Sequence, residues 1–165
     1  MRLSSRNTTC RAALALGAVA VGLALSACQK PSPMATVTVG TDSVSTEAEC
    51  YRQGKGLSDA RVEKCFEGRG QGTLSVSDDQ PIRVGVDPVV ANTGWLLTVN
   101  GRGVMSETSK ETYKTFPYDE IFAAQKSESG PSPAPKEVRL AIIEINESAT
   151  TVKGVWRVDL KRSDS

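Results

Sequence analysis

The chain contains no histidine. That removes Ser-His-Asp and Cys-His nucleophile systems, His-ligated zinc and the commonest general base near neutral pH. Carboxylates, lysine and tyrosine are left as the groups on which any catalysis would have to rest. The chain also lacks an apolar run of membrane-spanning length: Ala12 to Leu25 is uninterrupted, but at 1.5 Å per residue it reaches about 21 Å, short of the roughly 30 Å hydrocarbon core. There is no excess of basic charge, with 20 basic residues against 19 acidic ones, so no footprint for nucleic acid is present. No pair of cysteines has the CxxC spacing of a redox-active dithiol.

What is present begins with Arg2, Arg6 and Arg11, no acid, the apolar run, and the small pair Ser26-Ala27. A basic start, an apolar middle and a small-residue exit are the layout of a secretory signal. Leu25-Ser26-Ala27-Cys28 resembles the bacterial lipobox. That resemblance implies cleavage before Cys28, a diacylglycerol on its thiol and possible acylation of the new amine. An ordinary cut near Ala27 would instead leave a free, oxidisable thiol at an exposed terminus. Two or three acyl chains anchor a protein stably where one does not, so the expected location is a membrane surface on the extracytoplasmic side.

Removing residues 1–27 takes three basic residues and no acid, so 17 positive charges face 19 negative ones and the balance becomes −2 over 138 residues, enough for one domain with a core. Cysteine arithmetic follows from the same cut. Cys10 leaves with the signal and Cys28 is used by lipid, which leaves Cys50 and Cys65. In an exported protein such a pair is expected to form a disulfide. Their 15-position separation makes the closure worth about 3 kcal/mol in the chain-entropy model.

Residues 28–35, with two prolines in "QKPSPMA", read as an extended tether that would lift the domain on the order of 20 Å from the bilayer. A single domain is expected over 36–165. Its pattern is mostly period two. "TVTVG" (36–40), "TLSVS" (73–77), "IRVGV" (82–86), "GWLLTVNG" (94–101), "TYKTF" (112–116) and "VWRVDLK" (155–161) alternate, while "EVRLAIIEI" (137–145) is apolar enough to be buried on both faces. Asn100-Gly101 is a hairpin signal leading into "VMSET" (104–108).

One helix interrupts the strands. Ser58 is its N-cap, Leu57 and Val62 form a staple, and Gly68 ends it; Val62, Cys65 and Phe66 share a face. A shorter helical piece is placed in "DEIFAAQ" (119–125), and "SESGPSPAP" (127–135) is a loop. Together these predict a mostly β fold: an antiparallel immunoglobulin-like β-sandwich with one short disulfide-clamped helix.

Candidate sites are few. Trp95 and Trp156 each sit in a strand pattern with apolar partners two residues on, which is a core pattern. The acidic pairs Asp78-Asp79 and Asp119-Glu120 lie near turns or helix starts, where acids serve local roles. Neither pair is read as catalytic or metal-binding, and no cofactor is called for. Asn92, Thr93, Gly94 and Trp95 resemble the Asn-Pro-Thr-Thr-Gly-aromatic loop of chagasin-type cysteine-protease inhibitors, which are also immunoglobulin-like. The proline and that family's second and third loops are missing, and Asn92 with Gly94 also fits plain turn geometry.

A second resemblance covers most of the chain. "ACQKPSPMATVTVG", "AECYRQGKGL" through "EKCFEG", "IRVGVDPVVANTGWLLTVNG" and "GVWRVDLK", in that order, are similar to small actinomycete lipoproteins of Streptomyces type whose function is unknown. The resemblance implies a lipid-anchored module with Cys28 modified and supplies neither catalytic residues nor a ligand. The expected partners are membrane lipid, through the acylated Cys28, and an unidentified envelope protein or ligand. The expected role is binding or support without catalysis. Inhibition through the Asn92 to Trp95 loop and a carboxylate-based envelope enzyme are the alternatives.

Overall fold

A computed structural model describes residues 31–163, apart from 53–54, 124–125, 128–129, 132 and 147; Cys28 and the signal region lie outside the described residues. In chain order the elements are β1 Ala35–Val39, β2 Asp42–Thr46, β3 Cys50–Tyr51, α1 Asp59–Cys65, β4 Thr73–Val76, β5 Ile82–Val86, α2 Pro88–Thr93, β6 Trp95–Val99, β7 Arg102–Gly103, β8 Tyr113–Phe116, α3 Tyr118–Ile121, β9 Lys126–Ser127, β10 Gly130–Pro131, β11 Glu137–Ile145 and β12 Val152–Arg162.

They form a sandwich. One sheet has the order β2-β1-β5-β8; the other runs β3-β12-β11-β6-β7, with β4 also paired to β12. Period-two patterning drives both sheets inward. Val37 and Val39 of β1, Ile82 and Val84 of β5, and Phe116 of β8 meet Leu97 of β6, Leu140 and Ile142 of β11, and Trp156, Val158 and Leu160 of β12 in one core. Each strand therefore contributes every second side chain, as a two-layer packing requires.

The predicted strands are found except at 104–108, where no strand forms. β4 runs parallel to β12, so the sandwich is antiparallel except at that pair. The "DDQP" turn after β4 does not close a hairpin; it carries the chain from one sheet to the other, because β5 pairs with β1 and β8. β2 is an unpredicted strand, paired with β1 through the tight turn at Gly40 and Thr41. After Asn100 and Gly101, both at positive φ, β7 keeps only two residues; beyond it the Val104 amide donates to the Leu97 carbonyl and Ser109 makes an isolated bridge to Trp95.

The helix count also differs. The predicted clamped helix is α1, and the shorter one is α3, but α2 replaces what reads as a turn. Its signal is Asp87-Pro88: Asp87 is the N-cap and Pro88 opens the helix, where a missing N–H is harmless and a fixed φ helps.

The outer face of the six-stranded sheet is covered too. Cys50 and Cys65 are joined, with their Cα atoms 5.7 Å apart, and pack with Ala141 and Val155 beneath Leu57 and Phe66. The segment after α1 then lies over β12. Arg157, which points outward in the strand pattern, is buried there, donating to the carbonyls of Gly68 and Arg69 at 3.1 Å each and pairing with Glu49 at 3.4 Å. Buried Asp159 accepts from the Gly70 amide at 3.0 Å and from Arg139 Nε at 2.9 Å. Gly70 is required for this approach, since a Cβ there would sit 2.9 Å from the Asp159 nitrogen.

The described part of the expected tether belongs to the domain. Ser32 Oγ accepts from the Ala48 amide at 3.2 Å, and the buried Pro33 carbonyl accepts from Trp156 Nε1 at 2.8 Å. Met34 exchanges bonds with Asp87, its amide donating to the carboxylate at 2.8 Å and its carbonyl accepting from the Asp87 amide at 3.1 Å. Ala35 already lies in β1. Of the expected 28–35 tether, Ser32 to Ala35 are thus bonded into the domain, the Pro33 carbonyl to a buried indole, while 28–30 lie outside the described residues.

Candidate functional site

The segment from Asn92 to Trp95 is not a displayed loop. Asn92 and Thr93 form the last turn of α2, Gly94 caps it at φ 113°, and Trp95 opens β6 wholly buried. Of the four residues only Asn92 is exposed. The expectation of a loop at Asn92 to Trp95 meets a helical turn and a buried strand start. The indole that would have to project toward a protease instead donates from Nε1 to the Glu111 carbonyl at 2.7 Å inside the fold. Gly94 cannot readily carry a side chain, because a Cβ would stand 3.2 Å from the Ile145 carbonyl.

Beside this turn lies a residue that the sequence reading did not single out. Glu144 is 2% exposed, and its Oε2 has no hydrogen-bond partner. It sits in β11 opposite Trp95 on one side and Gly154 on the other. Burial pushes its carboxyl above the ordinary range, against the smaller downward pull of a hydrogen bond to the Thr93 side chain and of the Lys153 charge. Tyr51 is raised as well, by burial first and then by the Glu144 charge. The signal for Glu144 was available. In "EVRLAIIEI" it is in phase with Val138, Leu140 and Ile142, the core-facing set.

The other acids occupy local positions. Asp78 and Asp79 form the turn between β4 and β5, and Asp119 and Glu120 fill the first turn of α3; all four are exposed. Among the described residues no group of three metal-ligating side chains converges.

Open grooves among the described residues include a small one of about 210 Å³ beside Val99 and Ile121 and two larger ones. One, of about 550 Å³, is lined by Phe66, Asn100, Gly101, Arg139 and Asp159 on the outer face of the larger sheet. The other, of about 460 Å³, lies between the 104–111 segment and β8, with Met105, Lys114, Phe116 and Glu120 on its walls. Both mix apolar and charged groups and can accommodate a peptide-sized or small polar contact.

No family model matches the chain, and no curated relative does. Among solved structures it is similar to the fibronectin(III)-like modules of Clostridium thermocellum CbhA, at 6% identity and a TM-score of 0.36, over 60% of this chain and 95% of the other. At that distance the likeness says nothing about what this domain contacts.

Proposed function

We propose that this chain is a lipid-anchored extracytoplasmic module, held on the outer leaflet of the cytoplasmic membrane through Cys28, that binds or supports another envelope component without catalysing a reaction. The observation that carries the reading is the Cys50–Cys65 disulfide clamping α1 to β3, because such bonds persist in oxidising compartments. The lipobox-like Leu25 to Cys28 and the apolar run before it support attachment. A β-sandwich built around two buried tryptophans with open grooves on its surface suits display of contacts, and the absence of histidine from the sequence favours binding over acid-base chemistry.

The test is Cys28→Ser in cells fed a radiolabelled or clickable fatty acid. The native chain is expected in the membrane fraction and labelled, and the variant unlabelled and released, with its disulfide still formed. Label on the variant, or equal membrane retention of the two, would sink the anchoring reading. Crosslinking from intact membranes, followed by identification of reproducible partners, tests the binding role.

A further inference from the structure

We infer that the sandwich stands on the lipid surface by one particular end, with Val89 and Tyr113 at the headgroup boundary, and presents the opposite end to the envelope. This rests on the lipid-anchor reading and adds an orientation to it.

The chain enters the domain at a fixed place. Ser32, Pro33 and Met34 are each hydrogen-bonded to it, through Ala48, Trp156 and Asp87 respectively. Residues 29–31 separate Cys28 from Ser32, the first hydrogen-bonded residue among those described. Four Cα steps reach at most roughly 14 Å, so the entry end cannot leave the bilayer surface by more than that distance.

The register says which residues share that end. Ala35 pairs with Thr46 and Val86. Val86 leads through Asp87 into α2 and back to Trp95, which is opposite Glu144. The entry end thus carries α2, the start of β8 and the turn residues 148–151 that follow β11. At the far end, Val39 pairs with Asp42 and Ile82, while Val99 pairs with Leu140. That end carries Gly40-Thr41, Asp78-Asp79 and Asn100-Gly101. Nine residues of β11 at about 3.4 Å each put roughly 27 Å between the two ends.

A second observation points the same way without using the tether. The large hydrophobic side chains most exposed among the described residues are Val89, 46% exposed on α2, and Tyr113, 51% exposed at the start of β8. Both belong to the entry end. Tyrosine, with an apolar ring and a polar tip, suits the membrane interface. A short anchor and two exposed apolar groups at one end favour lipid as the surface they meet.

The test uses the full chain, acylated in cells and reconstituted into phosphatidylethanolamine/phosphatidylglycerol vesicles carrying a headgroup quencher. A fluorophore is attached to Val89→Cys or to Thr41→Cys. Quenching is expected to be several-fold stronger at position 89. Inserting a flexible Gly-Ser segment of about eight residues before Pro31 is expected to reduce the contrast. Equal quenching at the two positions, or stronger quenching at 41, in protein that is acylated and floats with the vesicles would overturn the orientation alone. Protein that carries no acyl chain and does not float would overturn the anchoring reading and the orientation with it.

Discussion

Replacing Glu144 by methionine should stabilise the domain, and the gain should depend on pH. The carboxyl is 2% exposed, with Oε2 unpartnered, and leaving a buried acceptor unsatisfied costs about 1–3 kcal/mol, more when it is charged. Folding raises its pKa from the ordinary 4.5 because burial outweighs the Thr93 hydrogen bond and the Lys153 charge. The folded state therefore holds the proton more tightly than the unfolded one. The stability from that protonation is fully present below the unfolded value and is lost as pH rises through the folded one. Methionine removes both the ionisable carboxyl and the orphan oxygen while keeping most of the volume. Thr93 is not stranded, since its hydroxyl also reaches the Val89 carbonyl at 3.3 Å. The expected gain at pH 7 is about 2 kcal/mol, read as a rise in Tm of about 5–10 °C, shrinking toward pH 4 where native Glu144 is neutral. Glu144→Gln removes the charge but keeps a buried polar group, so it should lie between the two and lose the pH slope. Urea titrations of the three proteins between pH 4 and 8 measure this. A methionine variant less stable than native at pH 7, or one whose advantage is the same at every pH, would refute the reasoning.

Other perturbations report on the clamp and the segment over β12. The double variant Cys50→Ala/Cys65→Ala should lose about 3 kcal/mol and expose α1 amides to hydrogen exchange while β11 and β12 stay protected; equal loss of protection in all three would show that the clamp holds the whole sandwich. Gly70→Ala should lose about 1–3 kcal/mol through overpacking, because its Cβ would meet the Asp159 nitrogen at 2.9 Å and Val158 backbone atoms at 3.0 Å. Gly103→Ala, with nothing nearer than 3.9 Å, is the control and should change stability by less than about 0.5 kcal/mol. Similar unfolding midpoints for the two glycine variants would show that the 66–72 segment gives way easily.

Much of the fold was legible because period two and composition are local properties. Glu137–Ile145 is apolar on both faces and is largely buried on both, as β12 is too. Val155–Lys161 alternates and lies within β12. The disulfide followed from counting cysteines, and the helix around Cys65 from a cap, a staple and a glycine. β2 was missed because "DSVST" is polar and gains strand character from its partner β1, and α2 because its Asp-Pro start precedes only six residues.

The candidate site was less legible for a different reason. Alternation states which side chains share a face, but not what covers that face. Arg157 and Asp159 look like a solvent face until the segment after α1 lies over them. Asn92 to Trp95 looks like a loop until Trp95 pairs in β6. The amino-acid order alone determined the longer alternating or apolar strands, the paired cysteines, the missing histidine chemistry and the lipobox-like Cys28. Only the tertiary structure decided that β4 runs parallel beside β12, that Glu144 is buried with an oxygen unpaired, and that Pro33 is bound at the end where Val89 and Tyr113 are exposed. These depend on contacts between residues far apart in the chain, such as Pro33 with Trp156, whose meeting is set by how the two sheets close on each other.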